Sequence, residues 1–233
     1  NKFETAKFAT LTKDFDFAEY SKSLGFGGEP AVLVAQPDYV AAFGKAYKEV
    51  PLETWKLYFQ WHALSDAAPM LSKPFVDENF AFYSTTLNGI PENRPRWKRG
   101  VKFVEAGIGE AVGKIYVAKY FPAENKARME KLVSNLIKTY DQEFDTLDWM
   151  SAETKVKAKE KLAKIMVKIG YPKEWRDYSA LEVKPGDLLG NAQRAAEFEY
   201  NRNLAKLGKP IDRNEWGMTP QTVNAYYLSL IHI

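Results

Sequence analysis

The chain has 233 residues, no cysteine, and 33 basic against 30 acidic side chains, for a formal charge of +3. Without cysteine there is no disulfide, no thiolate nucleophile and no Cys-based zinc site, and so small a charge excess gives no support for a polyanionic partner. At 45% hydrophobic, 14% aromatic and 27% charged, the composition is that of a folded chain with ample bulky core material, not of a disordered one.

The chain opens Asn1-Lys2-Phe3-Glu4, with neither an initiator methionine nor the basic-then-apolar pattern of a signal peptide, and no apolar run approaches the ~18 residues of a membrane span. The expectation is a piece of a longer polypeptide. After the apolar run Ala31-Val32-Leu33-Val34, Pro37-Asp38 opens a stripe of Tyr39, Val40, Phe43, Ala46, Tyr47 and Val50 at helical spacing. Pro51 suits the first turn of the next helix, with Glu53 near its positive end. That segment, Trp55 to Leu64, is apolar on nearly all sides, which predicts a central, buried helix. Ser72 and Pro74 start another, carrying Phe75, Val76, Phe80, Tyr83 and Leu87 to a stop at Asn88-Gly89.

The clearest amphipathic helix follows Pro122, with Met129, Leu132, Val133, Leu136, Ile137, Tyr140 and Phe144 recurring at three and four. Leu147-Asp148-Trp149-Met150 is a tight connector. Ser151 is a good N-cap for a helix through Val156, Leu162, Ile165, Met166 and Ile169, stopped by Gly170-Tyr171-Pro172. Asp187 caps a helix to about Leu207, where Gly208-Lys209-Pro210 breaks it. Beyond Pro210, Val223, Ala225 and Tyr227 alternate with Thr222, Asn224 and Tyr226, which predicts a short strand, and Pro220 before it favours an edge position. Pro172, Pro185 and Gly186 mark a soft domain boundary between about Tyr171 and Asp187. The chain therefore reads as mainly helical with a little β near its C-terminus.

No complete zinc site is present. The two histidines, His62 and His232, are far apart and neither lies in an H-E-x-x-H run, which needs two imidazoles one turn apart. His62, between Trp61 and Ala63 on an apolar helix, reads as a packed histidine. Gly107, Gly109 and Gly113 precede Lys114 at intervals that do not match a phosphate loop, and Ile115 follows the lysine. With Ile108, Val112 and Ile115 they fit a helix packed closely on a neighbour through its small residues. Arg94, Arg96, Lys98 and Arg99 around Trp97 offer a nucleic-acid patch, but a solvated helix start is the simpler account. The pairs Asp14/Asp16 and Glu197/Glu199 would not share a helix face and do not stand out as an acid/base couple. An edge strand can bind an extended peptide through its backbone. On it, Asn224 would offer an amide donor and acceptor, and Ala225 would admit a close backbone. An ordinary sheet edge is the competing account.

Val223-Asn224-Ala225-Tyr226-Tyr227, preceded by Trp216-Gly217-Met218-Thr219-Pro220, resembles the segment just upstream of the zinc motif in neprilysin-type metallopeptidases. Arg96-Trp97-Lys98-Arg99 with Gly107 to Phe121, Leu147-Asp148-Trp149-Met150, Lys168-Ile169-Gly170-Tyr171-Pro172, Trp175-Arg176-Asp177-Tyr178 and Phe198-Glu199-Tyr200-Asn201 are similar to landmarks of that family in the same order. The resemblance covers roughly residues 90 to 227, and the first third matches only in general helical character.

The resemblance implies a mainly α chain: a multi-helix capping lobe over residues 1–178, then the first helix and edge strand of a thermolysin-like α+β catalytic lobe over 179–233. It implies a zinc-dependent endopeptidase of oligopeptides as the parent, with Asn224 and Ala225 binding substrate backbone and the zinc ligands lying after Tyr227. This chain would then bind no zinc, carry no catalytic residue and be inactive alone. Its last residues, 228–233, have no counterpart in the family and read as non-native, so His232 is not taken for a zinc ligand. Many members work outside the cytoplasm, which suggests an extracytoplasmic location. The alternatives are a non-catalytic helical interaction module and, on the Arg94–Arg99 cluster, a nucleic-acid binder, although no nucleic-acid partner is expected.

Overall fold

A computed structural model describes residues 2–228, and His232 and the segment 229–233 lie outside them. The chain divides into two compact units. One comprises Asn1–Arg94 with Val183–Gly208, the other Pro95–Glu182 with Lys209–Ile233. Among the described residues the only sheet has two strands, so the fold is mainly α, as the periodicity predicts.

In the first unit β1 (Lys2–Glu4) pairs antiparallel with β2 (Ala31–Leu33), Phe3 opposite Val32. Between them, Thr5–Thr10 forms a 3-10 helix and α1 spans Phe17–Ser23. Asp16 caps α1 by accepting from the Glu19 N–H at 3.0 Å, which satisfies one of the donors a helix start leaves open. α2 (Pro37–Glu49) begins at its proline and buries Gly44, against which Thr12 packs so closely that a side chain there would collide with the threonine hydroxyl. Phe15 meets Phe43 and Tyr47 edge-on at 5.2 and 5.5 Å, and Asp14 pairs with Lys48 at 3.1 Å. α4 (Lys73–Phe80) continues into a π-helical turn, Ala81–Thr86, and ends at Gly89 with φ +66°. α8 (Leu188–Leu204) is capped by Asp187, which accepts from the Gly190 N–H at 3.0 Å and from Arg194 at 2.9 Å. Its Tyr200 hydroxyl donates to the Leu24 carbonyl, and Leu204 covers Gly25.

α3 (Leu52–Ala67) overturns one expectation. It forms where the sequence predicts, but none of its residues is buried, and Phe59 and Trp61 are 62% and 61% exposed. Apolar periodicity states which residues avoid water, not which chain covers them. The whole chain exposes 17958 Å², against about 10,700 Å² expected for a folded monomer of its mass from the usual scaling. Large apolar faces are thus left uncovered. His62 is exposed as well, with its ring 4.3 Å from that of Tyr58, rather than packed in a core.

The second unit holds α5 (Arg96–Tyr120), α6 (Ala123–Thr146) and α7 (Ala152–Ala163). α5 is kinked at Ile108, whose φ of −132° is not helical. Ser151 caps α7 as predicted, accepting from the Thr154 N–H, but α7 stops at Ala163 instead of continuing through Ile169. Residues 165–169 are irregular. Ile165, Val167 and Ile169 are β-branched and poor helix formers, and the stretch is engaged elsewhere. The Lys168 ammonium donates to the Glu215 carbonyl, and Arg213 donates to the Lys164 carbonyl at 2.9 Å. At Gly170, with φ +71°, Phe121 lies where a Cβ would stand.

Candidate functional site

Asn224 and Ala225 lie in residues 222–228, which carry no regular secondary structure and are exposed, Val223 at 102%. The predicted strand is therefore not formed as a ladder among the described residues. A strand exists only with a partner, and here the backbone donors are satisfied locally. The Asn224 N–H donates to the Thr222 carbonyl at 3.1 Å, and the Ala225 N–H donates to the Asn224 side-chain oxygen at 2.8 Å.

The segment leading into this pair is firmly tied. The Thr222 N–H donates to the Thr219 carbonyl at 3.0 Å, and the two threonine hydroxyls meet at 2.9 Å. Around this turn, the Gly217 N–H donates to the Tyr226 hydroxyl at 3.2 Å and closes a loop from 217 to 226. The loop rests on α5. Gly109 and Gly113 are buried, and a Cβ on them would stand 2.9 Å from Thr219 Cγ2 and 2.6 Å from Pro220 Cδ respectively. The Gln221 amide donates to the Gly109 carbonyl at 2.9 Å. The glycine cluster is thus a seam for close packing, as its spacing predicts. Its partner, the loop carrying Asn224, had no signal in the sequence. Directly after Gly109 on α5, the Glu110 carboxylate accepts from the Arg176 N–H at 2.6 Å and lies 3.8 Å from its guanidinium.

The other candidate residues are not gathered here. Arg94, Arg96 and Lys98 are exposed about the start of α5, with Lys98 over the Trp97 ring at 5.4 Å. Asp14 and Asp16 are engaged by Lys48 and the α1 cap, and Glu199 by Arg202 at 2.6 Å. An apolar concavity of about 770 Å³ in the first unit, lined by Phe8, Phe17, Val34, Tyr39 and Leu204, has Glu29 as its single titratable carboxylate. Among the described residues no group of three or more His, Asp or Glu could hold a metal ion. They do not fit a zinc centre, whose ligands need at least three converging side chains. Among the described residues no helix is long and apolar enough to cross a membrane.

A family profile described as peptidase family M13 matches residues 1–172. Neprilysin of Oryctolagus cuniculus is 29% identical over 215 residues, which cover 89% of this chain and 28% of the neprilysin. The neutral endopeptidase of Lactobacillus helveticus is 29% identical over 229 residues, 97% of this chain and 35% of that enzyme. Among solved structures, the Mycobacterium tuberculosis zinc metalloprotease Zmp1 in its open state superposes with a TM-score of 0.88 at 43% identity, covering 98% of this chain and 36% of Zmp1. The chain thus spans about a third of the length of the relatives it matches.

Proposed function

The chain belongs to peptidase family M13, and we propose that it is part of a zinc-dependent endopeptidase acting on oligopeptides, in which Asn224 and Ala225 hold the substrate backbone. Residues 1–178 would serve as the helical capping lobe and 179–233 as the start of the catalytic lobe. The observation that carries this reading is the 217–226 loop. It is seated on α5 through Gly109 and Gly113, and it presents an exposed amide at Asn224 next to a small residue. The Asn224 side chain offers its NH2 as donor and the remaining lone pair of its oxygen, which already accepts the Ala225 N–H, to a peptide unit, and Ala225 leaves room for a backbone to approach. The likeness to zinc metalloproteases along nearly the whole chain supports the same reading.

Zinc and its ligands are assigned to the longer polypeptide, downstream of Tyr227, where the metal would supply Lewis-acid chemistry. The 233-residue chain by itself is then inactive. An extracytoplasmic location is proposed on the same family resemblance. The test is oligopeptide hydrolysis by the full-length polypeptide and by this chain alone. The full-length protein should cleave, lose activity to a chelator and regain it with zinc, and the short chain should not cleave. Chelator-insensitive cleavage by the full-length protein, or chelator-sensitive cleavage by the short chain, would contradict the proposal.

A further inference from the structure

Nothing in the peptide-binding role of Asn224 explains why a glutamine three residues earlier spans 112 positions of sequence to bond a helix carbonyl. We infer that Gln221 is a positioning residue: by anchoring the 217–226 loop to the kinked part of α5, it sets the place and direction of the Asn224 amide and so the affinity for substrate backbone. The inference rests on the peptide-binding reading of Asn224.

The route is short and continuous. Gln221 donates to the Gly109 carbonyl at 2.9 Å, next to Ile108, where α5 leaves helical geometry. On either side of Gln221, the turn from Thr219 to Thr222 is closed by a backbone bond at 3.0 Å and a hydroxyl pair at 2.9 Å. The Thr222 carbonyl then accepts the Asn224 N–H at 3.1 Å. Only one residue, Val223, separates the end of the braced turn from the amide that would meet the peptide, and Val223 is fully exposed. The amide's position therefore depends on the turn on one side and on the Gly217–Tyr226 bond that closes the loop on the other, because no packing of Val223 fixes it independently. The turn is held on α5 by two kinds of contact. Glycine packing allows close approach, whereas the Gln221 bond is directional and sets how the loop is rotated on the helix. A residue that only braces the fold would change stability. One that aims Asn224 changes binding through Asn224.

The experiment uses the full-length enzyme, with steady-state kinetics on one oligopeptide for wild type, Asn224→Ala, Gln221→Glu and the double variant. Gln221→Glu keeps the side-chain length and turns the donor into an acceptor facing the Gly109 carbonyl. Its expected effect is a KM raised roughly three- to tenfold with kcat within about twofold, the size of one lost hydrogen bond felt equally in ground and transition states. In the Asn224→Ala background the same change should add less than about twofold, because coupled residues are not additive. Gln221→Met, which keeps the length but cannot donate, should behave the same way and serves if the carboxylate variant does not accumulate. A KM unchanged by the Gln221 variants while Asn224→Ala raises it overturns the inference and leaves the role of Asn224 standing. Equal Gln221 effects with and without Asn224 also overturn it. An unchanged KM in Asn224→Ala overturns the peptide-binding reading itself, and the inference with it.

Discussion

Pro220 lies against Gly113 so closely that a methyl group on the glycine would come within 2.6 Å of the proline Cδ and 2.8 Å of the Gln221 side-chain oxygen. Pro220 is a ring fixed to the backbone and cannot swing aside as a long side chain could. The loop bearing Asn224 can therefore sit on α5 only because that position has no side chain.

Gly113→Ala should accordingly destabilise the second unit by about 1–3 kcal/mol, the range for forcing extra atoms into a packed contact. Gly100→Ala, on the same helix with no atom within 4 Å of its Cβ, should instead be stabilising by about 0.5–1 kcal/mol through helix propensity. Chemical denaturation of both variants, followed by circular dichroism, checks the contrast. Equal effects would remove the close contact from the account.

Asp187 is predicted to make the stability of α8 depend on pH. The Arg194 hydrogen bond, and then the Gly190 N–H, hold its carboxyl below the ordinary value of 3.8. A depressed carboxyl contributes fully above its unfolded value and loses that contribution as pH falls through its folded one. The difference in unfolding midpoint between wild type and Asp187→Asn should therefore be constant at neutral pH and shrink as pH drops below about 4, the unperturbed aspartate range. Gly190→Ala should mimic the loss at neutral pH, since its Cβ would occupy the place of the Asp187 carboxylate.

The uncovered face of α3 predicts behaviour of the isolated chain. Leu57 and Trp61, one turn apart, are exposed, as is Phe59 on the opposite side of the helix, and exposed apolar surface of this kind favours dye binding and self-association. The 233-residue chain should enhance the fluorescence of an apolar dye. Leu57→Lys should weaken that signal while shifting stability by less than about 0.5 kcal/mol, as exposed substitutions usually do. Loss of folding in Leu57→Lys would show that α3 is buried after all.

Local signals were the legible part of this chain. Pro37, Ser151 and Asp187 start their helices where capping chemistry requires, and the Gly109–Gly113 spacing announced a close helix contact. What sits in that contact was not legible, because Thr219, Pro220 and Gln221 lie more than 100 residues away and carry no pattern pointing back to α5. The 3-4 spacing of Leu162, Ile165, Met166 and Ile169 suited a helix, but tertiary bonds to Arg213 and Glu215 took the second half of that stretch. The exposure of α3 could not be read for a different reason: apolar composition states which residues avoid water, not which chain covers them. β1 and β2 are three residues each, too short for alternation to register. At the candidate site, alternation put Asn224 and Ala225 on opposite faces of an expected strand, and gave no sign of the locally bonded conformation they adopt.

The most direct measurement is the KM of Asn224→Ala for an oligopeptide in the full-length enzyme, with bound zinc determined on the same samples. Loss of the amide's hydrogen bonding, about 1–3 kcal/mol, should raise KM by roughly 5- to 150-fold, with kcat and zinc content close to wild type. A KM equal to that of wild type would contradict the assignment of this loop to the peptide.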